Sequence, residues 1–234
     1  MAKILAIDTS TAACSVALAD SRDSIREDFR VVPQSHTQCL LPMIDNLLAE
    51  HQLTLTNLDA IALTLGPGSF TGLRIGLGII QGLAFGADLP VIGTSSLRVM
   101  SSSAQRLLKP ASNLLLLPSL DARMQEVYWA CYQNNSNVDA VEPDRVSSPD
   151  ALTAYVEKIK QNGLGIGDGW SCLPTETVNA MKLQVVTDFY PHAYDVAVLA
   201  LADFAINKGQ NAAEVQPLYI RNEVSWKKRQ RIRQ

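Results

Sequence analysis

The chain has 234 residues, 47% hydrophobic and 18% charged, which is enough for one large domain or two small lobes around a buried core. Its formal net charge of -3 argues against a body that grips nucleic acid over a wide surface. The first eight residues lack the long apolar stretch and cleavage site of a signal peptide, and no run approaches the ~20 apolar residues of a membrane span, so a cytoplasmic protein without membrane contact is expected. Cys14, Cys39, Cys131 and Cys172 are far apart and form no CxxC pair, so they read as small buried thiols rather than a zinc site or a disulfide framework.

The pattern predicts a strand at residues 3–8, where an apolar run is stopped by Asp8-Thr9-Ser10-Thr11, then strands at 14–20 and 26–32. A helix follows over 35–50, with Leu40, Leu41, Ile44, Leu47 and Leu48 at helical spacing. Ser35 with Gln38 is a candidate capping box, and Pro42 implies a kink or a later start. Next come a strand at 59–65, a turn at Gly66-Pro67-Gly68-Ser69, a helix over 70–86, a short strand at 90–93 and a helix over 95–108. The pattern then restarts: a strand at 113–120 ending in Asp121, a polar turn to Gln125, strands at 126–133 and 139–146, a helix over 148–161, a strand at 164–167 and a last helix over 195–208. Two halves that each open with strand, Asp, polar turn and strand form a weak repeat of architecture, and the alternation implies an α/β fold with mixed sheets. The break falls near Lys109-Pro110, giving an N-terminal lobe of 1–109, a C-terminal lobe of 110–220 and a basic tail of 221–234, in which five of the final eight residues are Lys or Arg.

Two segments could hold a phosphate. The turn Asp8-Thr9-Ser10-Thr11 can offer backbone N–H groups and hydroxyls to an anion, although the same residues are favoured in ordinary hairpin turns. The loop Gly66–Gly76 opens a helix whose first N–H groups are unpaired, but no Gly-Lys-Ser/Thr follows, and Ser69 can serve simply as the N-cap. Along that helix Gly78, Gly82 and Gly86 recur every four residues beside Ile75, Ile79 and Leu83. Each interior Gly costs about 1 kcal/mol against Ala, so close approach of another backbone is expected, from within the fold or from another chain. Gly165-Ile166-Gly167-Asp168-Gly169-Trp170 is a weaker candidate for a ligand turn. His36, His51 and His192 are isolated, no HExxH or HxxxH occurs, and Ser69 does not lie in a GxSxG elbow, so no catalytic residue is assigned. The tail can be a frayed terminus, or an arm for RNA phosphates or an acidic partner.

These residues together resemble a family. Ile4 to Thr11, Ser35-His36-Thr37 with Leu40-Leu41-Pro42, the Gly66–Gly76 loop, Asp121-Ala122-Arg123, and Tyr219-Ile220-Arg221-Asn222 with Trp226-Lys227-Lys228 are similar, in order and from end to end, to bacterial TsaB (YeaZ) proteins. The resemblance implies the actin-like, sugar-kinase-like fold of two related lobes. It implies a catalytic relative, TsaD, whose metal-binding HxxxH falls here on Ser96 and Met100, a hydroxyl and a thioether that cannot replace two imidazoles. It therefore implies a non-catalytic subunit, without metal or cofactor of its own and with a nucleotide admitted only at a junction with the ATPase TsaE. Such a subunit would dimerise through its first two helices, with itself or with TsaD, placing Leu40, Leu41, Ile44, Leu47, Leu48, Ile75, Gly78, Ile79, Gly82, Leu83 and Gly86 at the interface. The implied reaction moves a threonylcarbamoyl group from threonylcarbamoyl-AMP to N6 of adenosine 37 in tRNAs reading codons that begin with A, with tRNA met through the complex. The alternative is an ATP hydrolase acting alone through Asp8, and a peptidase ranks last for want of a nucleophile–base pair.

Overall fold

The computed structural model describes residues 2–21, 24–159, 161–181 and 183–221; the basic tail beyond Arg221 lies outside them. The first lobe runs β1 (Ile4–Asp8), β2 (Ala13–Ser21), β3 (Ser24–Val31), α1 (His36–Glu50), β4 (Ala60–Gly66), α2 (Phe70–Ala87), β5 (Val91–Ser95) and α3 (Ser96–Leu108). The second repeats this order with β6 (Leu115–Arg123), β7 (Glu126–Gln133), β8 (Ala140–Ser147), α4 (Pro149–Ile159), β9 (Gly163–Ile166), α5 (Thr175–Ala180), β10 (Leu183–Val186) and α6 (Ala193–Ile206). The sheets are ordered β3-β2-β1-β4-β5 and β8-β7-β6-β9-β10. In each, the first three strands form an antiparallel meander and the last two lie parallel to the first. The repeat seen weakly in the letters is thus complete in the topology, and the duplicated layout is the actin-like, sugar-kinase-like fold.

Every residue of β1 is buried, and its side chains divide by the two-residue period of a strand. Leu5 and Ile7 join Val16, Leu18, Ile61 and Leu63 under α1 and α2. Ile4 and Ala6 face the other way, into an alanine-rich layer with Ala17, Ala60 and Ala62 that meets Ala193, Ala197 and Ala200 of α6. Small residues on both surfaces let that helix lie close to the sheet. So α6, placed by sequence within the second lobe, packs on the sheet of the first. In exchange α3 packs on β6 of the second. The two helices are joined by Asp195, 2% exposed, which accepts from Ser102 Oγ (3.2 Å), Ser103 Oγ (2.8 Å) and Arg106 Nη2 (2.7 Å).

Several expectations are corrected. The Ser35–Gln38 capping box does not form, because Ser35 makes no side-chain cap bond. α1 passes Pro42 without interruption; Gln38, whose carbonyl loses its helical donor there, is exposed and open to water. The segment 168–186, left blank above, holds a 3-10 turn (Asp168–Cys172), α5 and β10. Cys172 is exposed, unlike Cys14 and Cys131, whose thiols burial raises to about 12 and about 11. α2 is by length and composition alone apolar enough to cross a membrane, a test that the core helix of a globular domain also passes, and one side of it packs on the first sheet.

Candidate functional site

The first hairpin turn is closed on itself. Asp8 is fully buried, and its carboxylate accepts from Thr64 Oγ1 (2.5 Å), Ser10 Oγ (2.8 Å) and the Ser10 N–H (3.2 Å). Burial outweighs those bonds and pushes its pKa from 3.8 up to about 6. Thr9 Oγ1 donates to the Gly72 carbonyl at 2.9 Å, and Thr11 Oγ1 accepts from the Ala13 N–H. The glycine loop seals the turn from the other side. The Ser69 N–H donates to the Ser10 carbonyl at 2.7 Å, and Ser69 Oγ caps α2 by accepting from the Gly72 N–H. A Cβ added at Gly68 would collide with the Ser10 carbonyl, and one at Gly72 with the Thr9 carbonyl. The Ser10 hydroxyl and N–H, the Thr9 hydroxyl and the Ser69 and Gly72 N–H groups, donors a phosphate could use, are therefore taken by the chain, and Asp8, Thr9 and Ser10, read above as a possible phosphate turn, are buried; Thr11 alone is partly open.

The same helix is bare further along. A Cβ at Gly78, Gly82 or Gly86 would meet nothing within 4 Å. Phe85 beside them is 81% exposed, and Ile75, Ile79 and Leu83 are half-buried. These six expected contact positions leave apolar surface for a neighbour, as close-approach glycines would. Of the five expected on α1, only Leu41 is exposed. Leu40, Ile44, Leu47 and Leu48 are buried against the first sheet, so they belong to this chain's own core and not to an interface. Sequence could not divide them, because a helix that covers a sheet and one that receives a partner share one apolar period.

The remaining candidates have structural roles. Gly165 and Gly169 make room for Trp170 and for Ser119, and Trp170 Nε1 donates to the Leu117 carbonyl at 2.9 Å, so this turn anchors the second core. His36 lies 3.0 Å from the Ala13 carbonyl, His51 lies 2.8 Å from the Leu47 carbonyl, and His192 is stacked on Phe29 beside Glu27. Ser96 and Met100 are both wholly buried. Among the described residues no three His, Cys, Asp or Glu side chains converge as metal ligands. A cleft of about 870 Å³ opens between the two hairpins, lined by Thr11, Phe70, Asp121, Arg123, Tyr190 and Arg221. Sequence reading did not find this cleft, since its walls come from both lobes.

Comparison with known proteins places this architecture. The family model described as TsaD, tRNA N6-adenosine threonylcarbamoyltransferase, matches residues 28–223. The tRNA threonylcarbamoyladenosine biosynthesis protein TsaB of Escherichia coli K12 is 39% identical over 229 residues, 97% of each chain. The chain belongs to the TsaB (YeaZ) family. The Haemophilus influenzae TsaB is 38% identical over 96% of each chain. The solved structure of YeaZ from Pseudomonas aeruginosa superimposes with a TM-score of 0.81 at 35% identity, over 93% of this chain and all of that one. The TsaB relatives and the family model named for a transferase thus both match most of this chain.

Proposed function

We propose that this protein is the non-catalytic partner subunit of the machinery that makes threonylcarbamoyladenosine in tRNA. It works in the cytoplasm with TsaD, which carries the catalytic site, and with TsaE. The complex transfers the threonylcarbamoyl group from threonylcarbamoyl-AMP to N6 of adenosine 37 in tRNAs reading codons that begin with A. The isolated chain pairs with a second copy, and TsaD takes the place of that copy. The names of its relatives support the pathway. The observation that carries the subunit reading is the contrast along α2: the end beside Asp8 is sealed by the chain itself, while Gly78, Gly82, Phe85 and Gly86 are uncovered. A fully buried Asp8 weighs against an ATP hydrolase that would place a magnesium-bound phosphate there.

The test uses Phe85→Glu, which changes a side chain outside the core. Wild type is expected to co-elute with TsaD and to restore tRNA modification in a mixture with TsaD, TsaE, donor and tRNA, while showing none alone. The variant is expected to melt like wild type but to lose co-elution and at least tenfold in modification rate. Normal TsaD binding by the variant, or modification by the chain alone, defeats the proposal.

A further inference from the structure

We propose that a pocket between β8 and the start of α3 binds a small zwitterion, an α-amino acid with an aliphatic side chain, whose ammonium pairs with Asp144 and whose carboxylate pairs with Arg98. The site lies apart from the exposed face of α2 and does not rest on the subunit reading. The pocket measures about 500 Å³, a size that suits a small molecule. It is lined by Arg98, Tyr132, Val138, Asp144, Leu218 and Ile220, so both lobes and the segment that follows α6 meet in it.

Two opposite charges line this space without pairing with each other. Asp144 is half-buried, and its two carboxylate oxygens accept from the Ser95 hydroxyl and, at 2.7 Å, from the Tyr132 hydroxyl. Among the described residues no Lys, Arg or His pairs with it. Burial raises its pKa above 3.8, against the pull of the two hydroxyls. Each oxygen keeps a second acceptor site, and a half-buried carboxylate without a cation gains from a ligand that brings one. Arg98 is held loosely: Nη1 reaches Asp203 and Nη2 the Asn137 carbonyl, both at 3.3 Å, beyond the usual range for an N–H donor. Its planar fork of five donors can still take a carboxylate. It lies near enough to Tyr132 to oppose the rise that burial gives that phenol, so both charges are neighbours of the same side chain. The apolar wall is fixed in place. Val138 has a φ of 51°, a left-handed backbone that a β-branched residue rarely adopts, and its N–H donates to the Asn135 carbonyl at 3.1 Å. Strain of this kind gathers at ligand clamps. With Leu218, which is 44% exposed, and Ile220 it offers contact to an aliphatic chain. A plain amine would leave Arg98 unused and a plain acid would leave Asp144 unused, so the zwitterion fits best.

The experiment titrates L-leucine, L-isoleucine and L-valine into the full chain and reads binding by calorimetry and by saturation-transfer NMR. Isopentylamine and isocaproate, which are leucine without its carboxylate and without its ammonium, serve as controls. At least one amino acid is expected to bind in the millimolar range or tighter, and each control at least tenfold more weakly. Asp144→Asn and Arg98→Gln are each expected to weaken amino-acid binding at least tenfold, because each leaves one charge of the ligand without a partner. Asp144 is bonded within the chain, so melting of its variant is measured alongside. Ala140→Trp fills the pocket from an exposed position on its rim, leaves both charges in place and is expected to abolish binding. No binding of any of the three amino acids at about 10 mM overturns the proposal. So does a control that binds as well as the amino acid, which would show that one charge is idle. Unchanged affinity in Ala140→Trp and Arg98→Gln overturns it too, because binding would then lie elsewhere.

Discussion

The two ends of α2 carry the same residue for opposite reasons. Near its start Gly72 and Gly76 lie against Thr9, where a side chain would collide with the Thr9 carbonyl and Oγ1. Near its end Gly78, Gly82 and Gly86 lie against open space. The first pair is explained within the chain, and the missing Cβ atoms let the helix seal the hairpin. The second set gains nothing within the chain and weakens the helix by about 1 kcal/mol at each position relative to Ala. On the proposed subunit reading, these glycines face the partner that comes close.

This contrast can be broken most forcefully at Gly72. Gly72→Ala should destabilise the protein by about 2–3 kcal/mol in urea denaturation, because the added methyl meets backbone that cannot rotate away. A change below about 0.5 kcal/mol would show that the seal yields. Asp8, behind that seal, gives the next effect. Its raised pKa means that the folded chain holds the proton more tightly than the unfolded one. The resulting stability is fully present below about pH 4 and is lost as pH rises through 6. Compared with Asp8→Asn, wild type should therefore lose up to about 3 kcal/mol between pH 4 and 7, two pKa units at about 1.4 kcal/mol each. Parallel pH profiles for the two proteins would remove the burial argument. The smallest effect has the opposite sign. Gly82→Ala should stabilise the isolated chain by about 0.5–1 kcal/mol yet weaken co-elution with TsaD at least fivefold. A gain in stability with unchanged association would leave these glycines unexplained.

Much of the fold was legible because strands here carry strong local marks. The run Ile4 to Asp8 is apolar and stops at an acid, and the same mark at Asp121 announces the second lobe. The short pieces after Ile166 were not legible: β10 has four residues, none of them fully buried, and α5 has six. The site was half legible. Spacing found the glycines but not the direction they face, and it found the α1 stripe without telling Leu41 from its buried neighbours. The packing of α6 could not be read at all, since a helix rich in Ala and Val suits either sheet.

The exchange of α3 and α6 has a consequence for anyone who cuts the molecule. Severed after Lys109, the front fragment would keep its five strands but lose the helix that shields their alanine side, which arrives some 85 residues later along the chain. The rear fragment would be left with an acid at position 195 stripped of its arginine and two serine donors. Each lobe is thus a chaperone for the other, and the smallest unit able to stand by itself is the pair.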